Sequence, residues 1–239
     1  MKRLFTILLS LCFISAFAYK PTHQYISIKT DRGECIIMLY NSTPLHRDNF
    51  IKLTKKGTFN GTLFHRVIKS FMVQGGDPDS KNAADGTLLG EGSVGYTVPA
   101  EFRDSLFHKK GVLAAARDDN PEKASSGSQF YIVQGKVWTD RTLDSVQTKR
   151  MDFKIPEWQR EVYKSIGGTP HLDRRYTVYG EVVQGLDLVD SIAAVKTDKN
   201  DRPLENISIT VTVLKKREAR KIEKELRKRN GGPVYLLNQ

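Results

Sequence analysis

The sequence predicts a mainly β chain, a closed β-barrel with two helices and a helical insertion. Three observations lead there. Short apolar runs bounded by turn residues recur along most of the chain. The last of them alternates Ile207, Ile209, Val211 and Val213 with Ser208, Thr210 and Thr212, the period of two that a strand shows. Outside one long insertion and the C-terminal tail, two segments carry helical spacing, and many short strands with few helices favour a barrel over a parallel sheet.

In chain order, Gln24 to Lys29 and Glu34 to Tyr40 read as strands joined by a turn at Thr30-Asp31-Arg32-Gly33. Thr43 is placed to cap a helix and Pro44 suits its first turn, with Leu45, Phe50 and Leu53 spaced along it until Gly57. Strands follow at Leu63 to Ile68, Phe71 to Gln74, Val112 to Ala116, Gln129 to Val133 and Tyr176 to Val183. A second helix covers Leu186 to Ala194, and Ile207 to Leu214 is the final strand. The insertion, residues 135–170, has its own pattern. Thr139 to Arg150 predicts a helix with Leu143 and Val146 on one face, and Pro156 opens another in which Trp158, Val162 and Ile166 recur every four residues.

Residues 1–18 read as a signal peptide: Lys2 and Arg3, then the apolar run Leu4 to Phe17, then Ala16-Phe17-Ala18 as the cleavage site. The run is too short to span a bilayer, which takes about 20 residues. Cys12 follows a large Leu11, which disfavours lipid attachment there. An exported protein is expected, periplasmic or secreted after cleavage near Ala18. Cleavage leaves Cys35 as the single thiol, so residues 19–214 must fold as one domain without a disulfide, and Cys35 reads as a buried strand residue. The net charge of +11 is concentrated in the tail, residues 215–239, where Lys215 to Arg229 holds nine Lys/Arg against three Glu. The body is close to neutral, which argues against a nucleic-acid-binding domain. The tail reads as a solvated charge run with weak electrostatic contact to anionic surfaces, since only Ile222 and Leu226 share a face.

The chemistry concentrates in Phe64-His65-Arg66-Val67-Ile68-Lys69-Ser70-Phe71-Met72-Val73-Gln74-Gly75-Gly76-Asp77. One guanidinium, large apolar side chains and an amide stand together, and paired glycines then turn the chain. This block resembles the signature of the cyclophilin family of peptidyl-prolyl isomerases. Three further blocks support the resemblance in order: Gly111 to Ala116, Ser126 to Ile132, and His171-Leu172-Asp173 with Tyr176 to Val182. It spans nearly all of Tyr25 to Leu214, with the insertion as the main interruption. It implies an eight-stranded barrel capped by two helices, an active groove on the outer face, and proline-containing polypeptides as substrates.

By that resemblance Arg66 is the catalytic residue, Phe71, Met72, Tyr131 and Leu172 form the proline socket, and Gln74 and Gln129 hold the twisting carbonyl and orient Arg66. Ala114 and Ala115 match the rim along which substrate backbone lies, and His171 and Tyr176 complete the site. The chemistry agrees. An X-Pro bond resists rotation by about 18–20 kcal/mol because of amide resonance. A donor aimed at the prolyl nitrogen weakens that resonance as the bond twists, and arginine supplies fixed donors without losing its proton. Neither cofactor nor metal nor nucleotide is required, and a monomer is expected. Tyr131 stands where the family usually has phenylalanine, which adds a hydroxyl needing a partner. Ala115 stands where asparagine is common, His171 where tryptophan is frequent and Tyr176 where histidine is frequent, and weak inhibition by cyclosporin-type compounds is expected from His171.

Gly90-Glu91-Gly92-Ser93-Val94-Gly95 matches G-x-G-x-x-G, but Pro99 follows soon after where a dinucleotide site needs a helix, so a surface loop is expected. The insertion ends at His171, so its helices either wall the groove or only buttress the barrel.

Overall fold

The computed structural model describes residues 22–230, so the expected signal peptide, its cleavage point and residues 231–239 lie outside it. Eight strands form one antiparallel sheet: β1 (Gln24–Thr30), β2 (Gly33–Leu39), β3 (Phe64–Ile68), β4 (Met72–Gly75), β6 (Val112–Ala115), β8 (Phe130–Val133), β9 (Val178–Gln184) and β10 (Thr210–Val213). Their order across the sheet is β10-β1-β2-β9-β6-β8-β4-β3. Two short strands, β5 (Thr97–Val98) and β7 (Ser125–Ser126), pair separately. The ladder is a curled half-barrel, not the continuous closed ring that the strand pattern predicts. β10 begins only at Thr210, past the residues that meet the other edge, and the edges β3 and β10 are therefore linked by the Leu63–Ser208 bridge and by Phe64 N–H to the Ile207 carbonyl at 3.0 Å.

The strands read as nearly unbroken apolar runs because both faces are covered. Alternate residues go to different clusters. Along β8, Phe130 and Ile132 enter the inner cluster, while Tyr131 and Val133 enter the outer one; along β6, Leu113 and Ala115 go inward and Val112 and Ala114 outward. Two helices cap the inner cluster. α1 (Pro44–Lys55) contributes Phe50 and Leu53, and α4 (Asp187–Ala193) contributes Leu188, Val189 and Ile192. Thr43 makes no side-chain cap on α1. The Glu101 carboxylate, from a distant loop, accepts from the Leu45 and His46 N–H groups instead.

The insertion is the expected hairpin of α2 (Asp140–Arg150) and α3 (Glu157–Ser165), and Thr139 and Thr142 close a capping box at its start. The buried face of α3 is not the expected one. Trp158 and Ile166 are half exposed, whereas Gln159, Arg160 and Tyr163 are buried. Tertiary hydrogen bonds decide this, since Gln159 donates to the Asp104 carbonyl and Tyr163 to Asp173. The tail is also more than a solvated run. Lys216–Asn230 is a helix, α5, whose Ala219, Ile222 and Leu226 pack into the outer cluster with Tyr25, Met38 and Val183. The fully buried Glu223 accepts from the Thr22 and His23 N–H groups at 2.8 and 2.9 Å.

Candidate active site

Sheet register assembles the centre of the site. Arg66 stands opposite Gln74, Gln74 opposite Tyr131, and Tyr131 opposite Ala114, across four adjacent strands. Directly paired residues share a face, so all four look to the outer side. A register shift between Phe64 and Arg66 sets this phase in β3. Arg66 Nη1 lies 3.4 Å from Gln74 Oε1, Gln74 Nε2 donates to Gln129 Oε1 at 3.0 Å, and Gln129 Nε2 donates to the Gly90 and Gly92 carbonyls. The guanidinium is thus held at the end of an amide chain anchored in backbone. Its other neighbour is Asp201, with Oδ2 3.7 Å from Arg66 Nε. Both side chains are over 40% exposed (43% and 44%), so the pair is weak and leaves donors available.

The glycine-rich stretch is the anchor of that chain and no helix opens from it; β5 follows. The buried Asp77 carboxylate accepts from Gly90 N–H at 2.6 Å, and a Cβ on Gly92 would meet Asp77 Oδ1 at 1.9 Å. Gly76 is required for the same reason of close approach. Its φ is +87°, and a Cβ there would lie 2.4 Å from the Ser128 carbonyl, beneath the segment that carries Gln129.

Beside the arginine lies an apolar patch. Met72 and Tyr131 are buried in the outer cluster, with Phe71, Leu172 and Tyr176 partly buried against it. Phe71 sits in the β3–β4 turn rather than in the strand, and this places its ring parallel to His171 at 5.6 Å. Tyr176 meets Tyr131 edge-on at 5.9 Å. The structure thus brings Arg66, Phe71, Met72, Gln74, Gln129, Tyr131, His171, Leu172 and Tyr176 together. It does not place Ala114 and Ala115 at a rim. β6 has neighbours on both sides, so it offers no edge; Ala115 faces the inner core and Ala114 is covered beneath the outer cluster. The residues that do line a cleft beside Gln74 and Gln129 are Ala116, Arg117 and Asp118, just past the end of β6. Arg117 lies over the Tyr176 ring at 5.0 Å.

The Tyr131 hydroxyl finds the partner its chemistry asks for. His108 Nε2 is 2.9 Å away, His108 Nδ1 is 2.9 Å from Asp173 Oδ1, and Tyr163 donates to Asp173 Oδ2 at 2.6 Å. Burial holds both phenols well above the ordinary tyrosine range, so they stay protonated donors. The assignment that satisfies every member places a proton on His108 Nδ1 for Asp173 and leaves Nε2 to accept from Tyr131. Tyr163 belongs to α3, so the insertion is wired to the floor of the apolar patch. His108 carried no sequence signal, because its partners are 23 and 65 residues away. Burial and the nearby Arg150 push His171 down to about 4, so it is neutral at neutral pH.

The model of cyclophilin-type peptidyl-prolyl cis-trans isomerases matches residues 25–213. A protein of Staphylococcus saprophyticus named as a peptidyl-prolyl cis-trans isomerase is 35% identical over 181 residues, covering 75% of this chain and 86% of that one. A Streptococcus pyogenes protein named as a bifunctional phosphatase/peptidyl-prolyl cis-trans isomerase is 35% identical over 195 residues, 79% of this chain but 38% of its own length. In fold, a Cryptosporidium parvum cyclophilin-type isomerase superposes with TM-score 0.58 at 22% identity, over 81% of this chain and 98% of the other. The same protein in the presence of the dipeptide Ala-Pro gives 0.57. The chain belongs to the cyclophilin-type peptidyl-prolyl cis-trans isomerase family.

Proposed function

We propose that the protein accelerates X-Pro rotation in exported polypeptides, with Arg66 as the catalytic group. The observation that carries this is the amide chain Gln74–Gln129–Gly90, which aims a half-exposed guanidinium beside the apolar patch of Phe71, Met72, Tyr131 and Leu172. The proline ring rests on Phe71, Met72, Tyr131 and Leu172. As the bond twists, the prolyl nitrogen becomes pyramidal and gains a lone pair that the planar amide lacks. A hydrogen bond from Arg66 to that lone pair exists mainly in the twisted state, so it lowers the barrier rather than tightening the ground state. Gln129 and Gln74 fix where the donor points. We further read the Leu63–Ser208 bridge as the closure that completes a barrel under this surface.

Export rests on Lys2-Arg3, the apolar run after them and Ala16-Phe17-Ala18. Outside the cytoplasm such an enzyme relieves folding steps that otherwise take on the order of tens to hundreds of seconds. The test is proline-limited refolding of a substrate protein with the chain from Tyr19, wild type against Arg66→Ala. Acceleration that falls by roughly tenfold or more in the variant, about 1.4 kcal/mol of barrier, supports Arg66. A folded wild type without acceleration rejects the isomerase reading. Fractionation of cells producing the full chain tests export, and an uncleaved protein in the cytoplasm rejects it.

A further inference from the structure

The apolar patch has two flanks. On the Gln129 side lies the small cleft of about 100 Å³ already described. On the other, Phe71 and His171 form one wall of a larger cavity of about 510 Å³ whose opposite wall is α2 of the insertion. Its charged lining is of one sign: Lys136, Lys149 and Arg150.

The distribution of charge on α2 explains how this arises. Asp140 and Asp144 each pair with Arg160 of α3 at 2.9 Å, and Lys164 adds a second contact to Asp140. The two acids of α2 are therefore consumed against α3. The cavity side of α2 keeps Thr142, Ser145, Val146 and Lys149, at the spacing of one helical face. Among the described residues no carboxylate lies within 4 Å of Lys136, Lys149 or Arg150. Two cations at a helix C-terminus also complement its dipole, but that role involves neither Lys136 nor the cavity. Lys136 stands over the Trp138 ring at 4.7 Å, inside the same lining. Thr169 lines the cavity, is 2% exposed, and its Oγ1 has no hydrogen-bond partner. Buried hydroxyls ordinarily have one.

We propose that this cavity is a subsite for an acidic side chain, aspartate or glutamate, of the polypeptide whose proline lies on the Phe71 patch. The proposal rests on the isomerase reading above and adds to it a substrate preference that the insertion creates. The shared wall makes the coupling direct: a chain whose proline ring touches one side of the Phe71–His171 pair places a residue near that proline against the other.

The experiment uses a peptide series around one proline, with glutamate or its isostere glutamine at each position from the third residue before it to the third after. Isomerisation is read by exchange NMR and affinity by tryptophan emission, since Trp138 lines the cavity. The expected result is kcat/KM and affinity roughly fivefold higher for glutamate than for glutamine, at one or two adjacent positions on one side of the proline. The preference disappears in Lys149→Ala/Arg150→Ala and at about 1 M salt, where the screening length is about 3 Å. Glutamate no better than glutamine at any position overturns the proposal. So does an equal gain at all positions, which is attraction to a basic protein and not a subsite. Failure to isomerise either peptide rejects the isomerase reading instead, and the emission titration then still decides the subsite by whether glutamate binds tighter than glutamine.

Discussion

Tyr131 offers the same apolar ring as phenylalanine, yet its hydroxyl ties the patch to His108, Asp173 and Tyr163. Tyr131→Phe keeps the ring and leaves the buried His108 Nε2 without a donor, a loss of about 1–3 kcal/mol in stability measured by denaturant unfolding. Turnover of peptides by that variant is expected to change little, because the ring surface is intact. A variant as stable as wild type contradicts the hydrogen-bonded chain. The histidines set the pH response. The native value of about 4 for His171 lies below the ordinary 6.5, and burial lowers His23, His46 and His65 in the same direction. The unfolded chain therefore takes up protons that the native state refuses. Stability is full above about pH 6.5 and declines as pH falls toward about 4. Thermal midpoints across this window check it, and His171→Phe is expected to flatten the slope. At the residue scale the structure also brings together most of the side chains that the resemblance named. Arg66 and Gln74 share a face by strand register, after the shift between Phe64 and Arg66, and a hydrogen bond from Gln74 brings Gln129 to them.

The elements divide differently. α2 appeared where the spacing of Leu143 and Val146 indicated, because helical spacing is local. α3 formed at the expected place but turned another face inward, since Tyr163 and Gln159 answer to Asp173 and Asp104 far along the chain. α5 looked too charged to dock. Ala219, Ile222, Glu223 and Leu226 make a stripe in which a carboxylate serves as a buried acceptor for the start of β1, a role that polarity alone conceals. Leu226→Ala is expected to cost about 2–5 kcal/mol, measured by unfolding in denaturant. A cost near zero means that α5 is dispensable to the fold.

At the scale of the molecule, both faces of one sheet are covered without a disulfide among the described residues. The Cys35 thiol is buried and pushed up to about 12, so it lies inert in the inner core. In the chain from Tyr19, an aromatic disulfide reagent is expected to react with Cys35 only after unfolding, and rapid modification of the native protein contradicts this placement. The outer cluster is shared by two tenants, α5 at Tyr25 and Met38 and the apolar patch beside Arg66 at Met72 and Tyr131. Because the apolar stripe of α5 is already occupied, contact of this segment with anionic vesicles rests on its exposed cations, Lys215, Lys216, Arg217, Lys221, Lys224, Lys228 and Arg229. Such binding is expected to vanish by about 1 M salt, and salt-resistant binding of the chain to vesicles would contradict docking of that stripe.

By itself the sequence determined the family, the eight strands of the large sheet and the insertion, because strand alternation, helical spacing and motif order are local properties of the chain. It misplaced the rim at Ala114 and Ala115, and it carried no trace of the Tyr131–His108–Asp173–Tyr163 chain, the seat of α5 or the basic cavity. Only the tertiary structure decided those. Whether a strand residue is an edge or a floor depends on which strands flank it, and whether a charge is solvated or buried depends on partners tens to hundreds of residues away, down to Glu223 and Thr22 at a separation of 201.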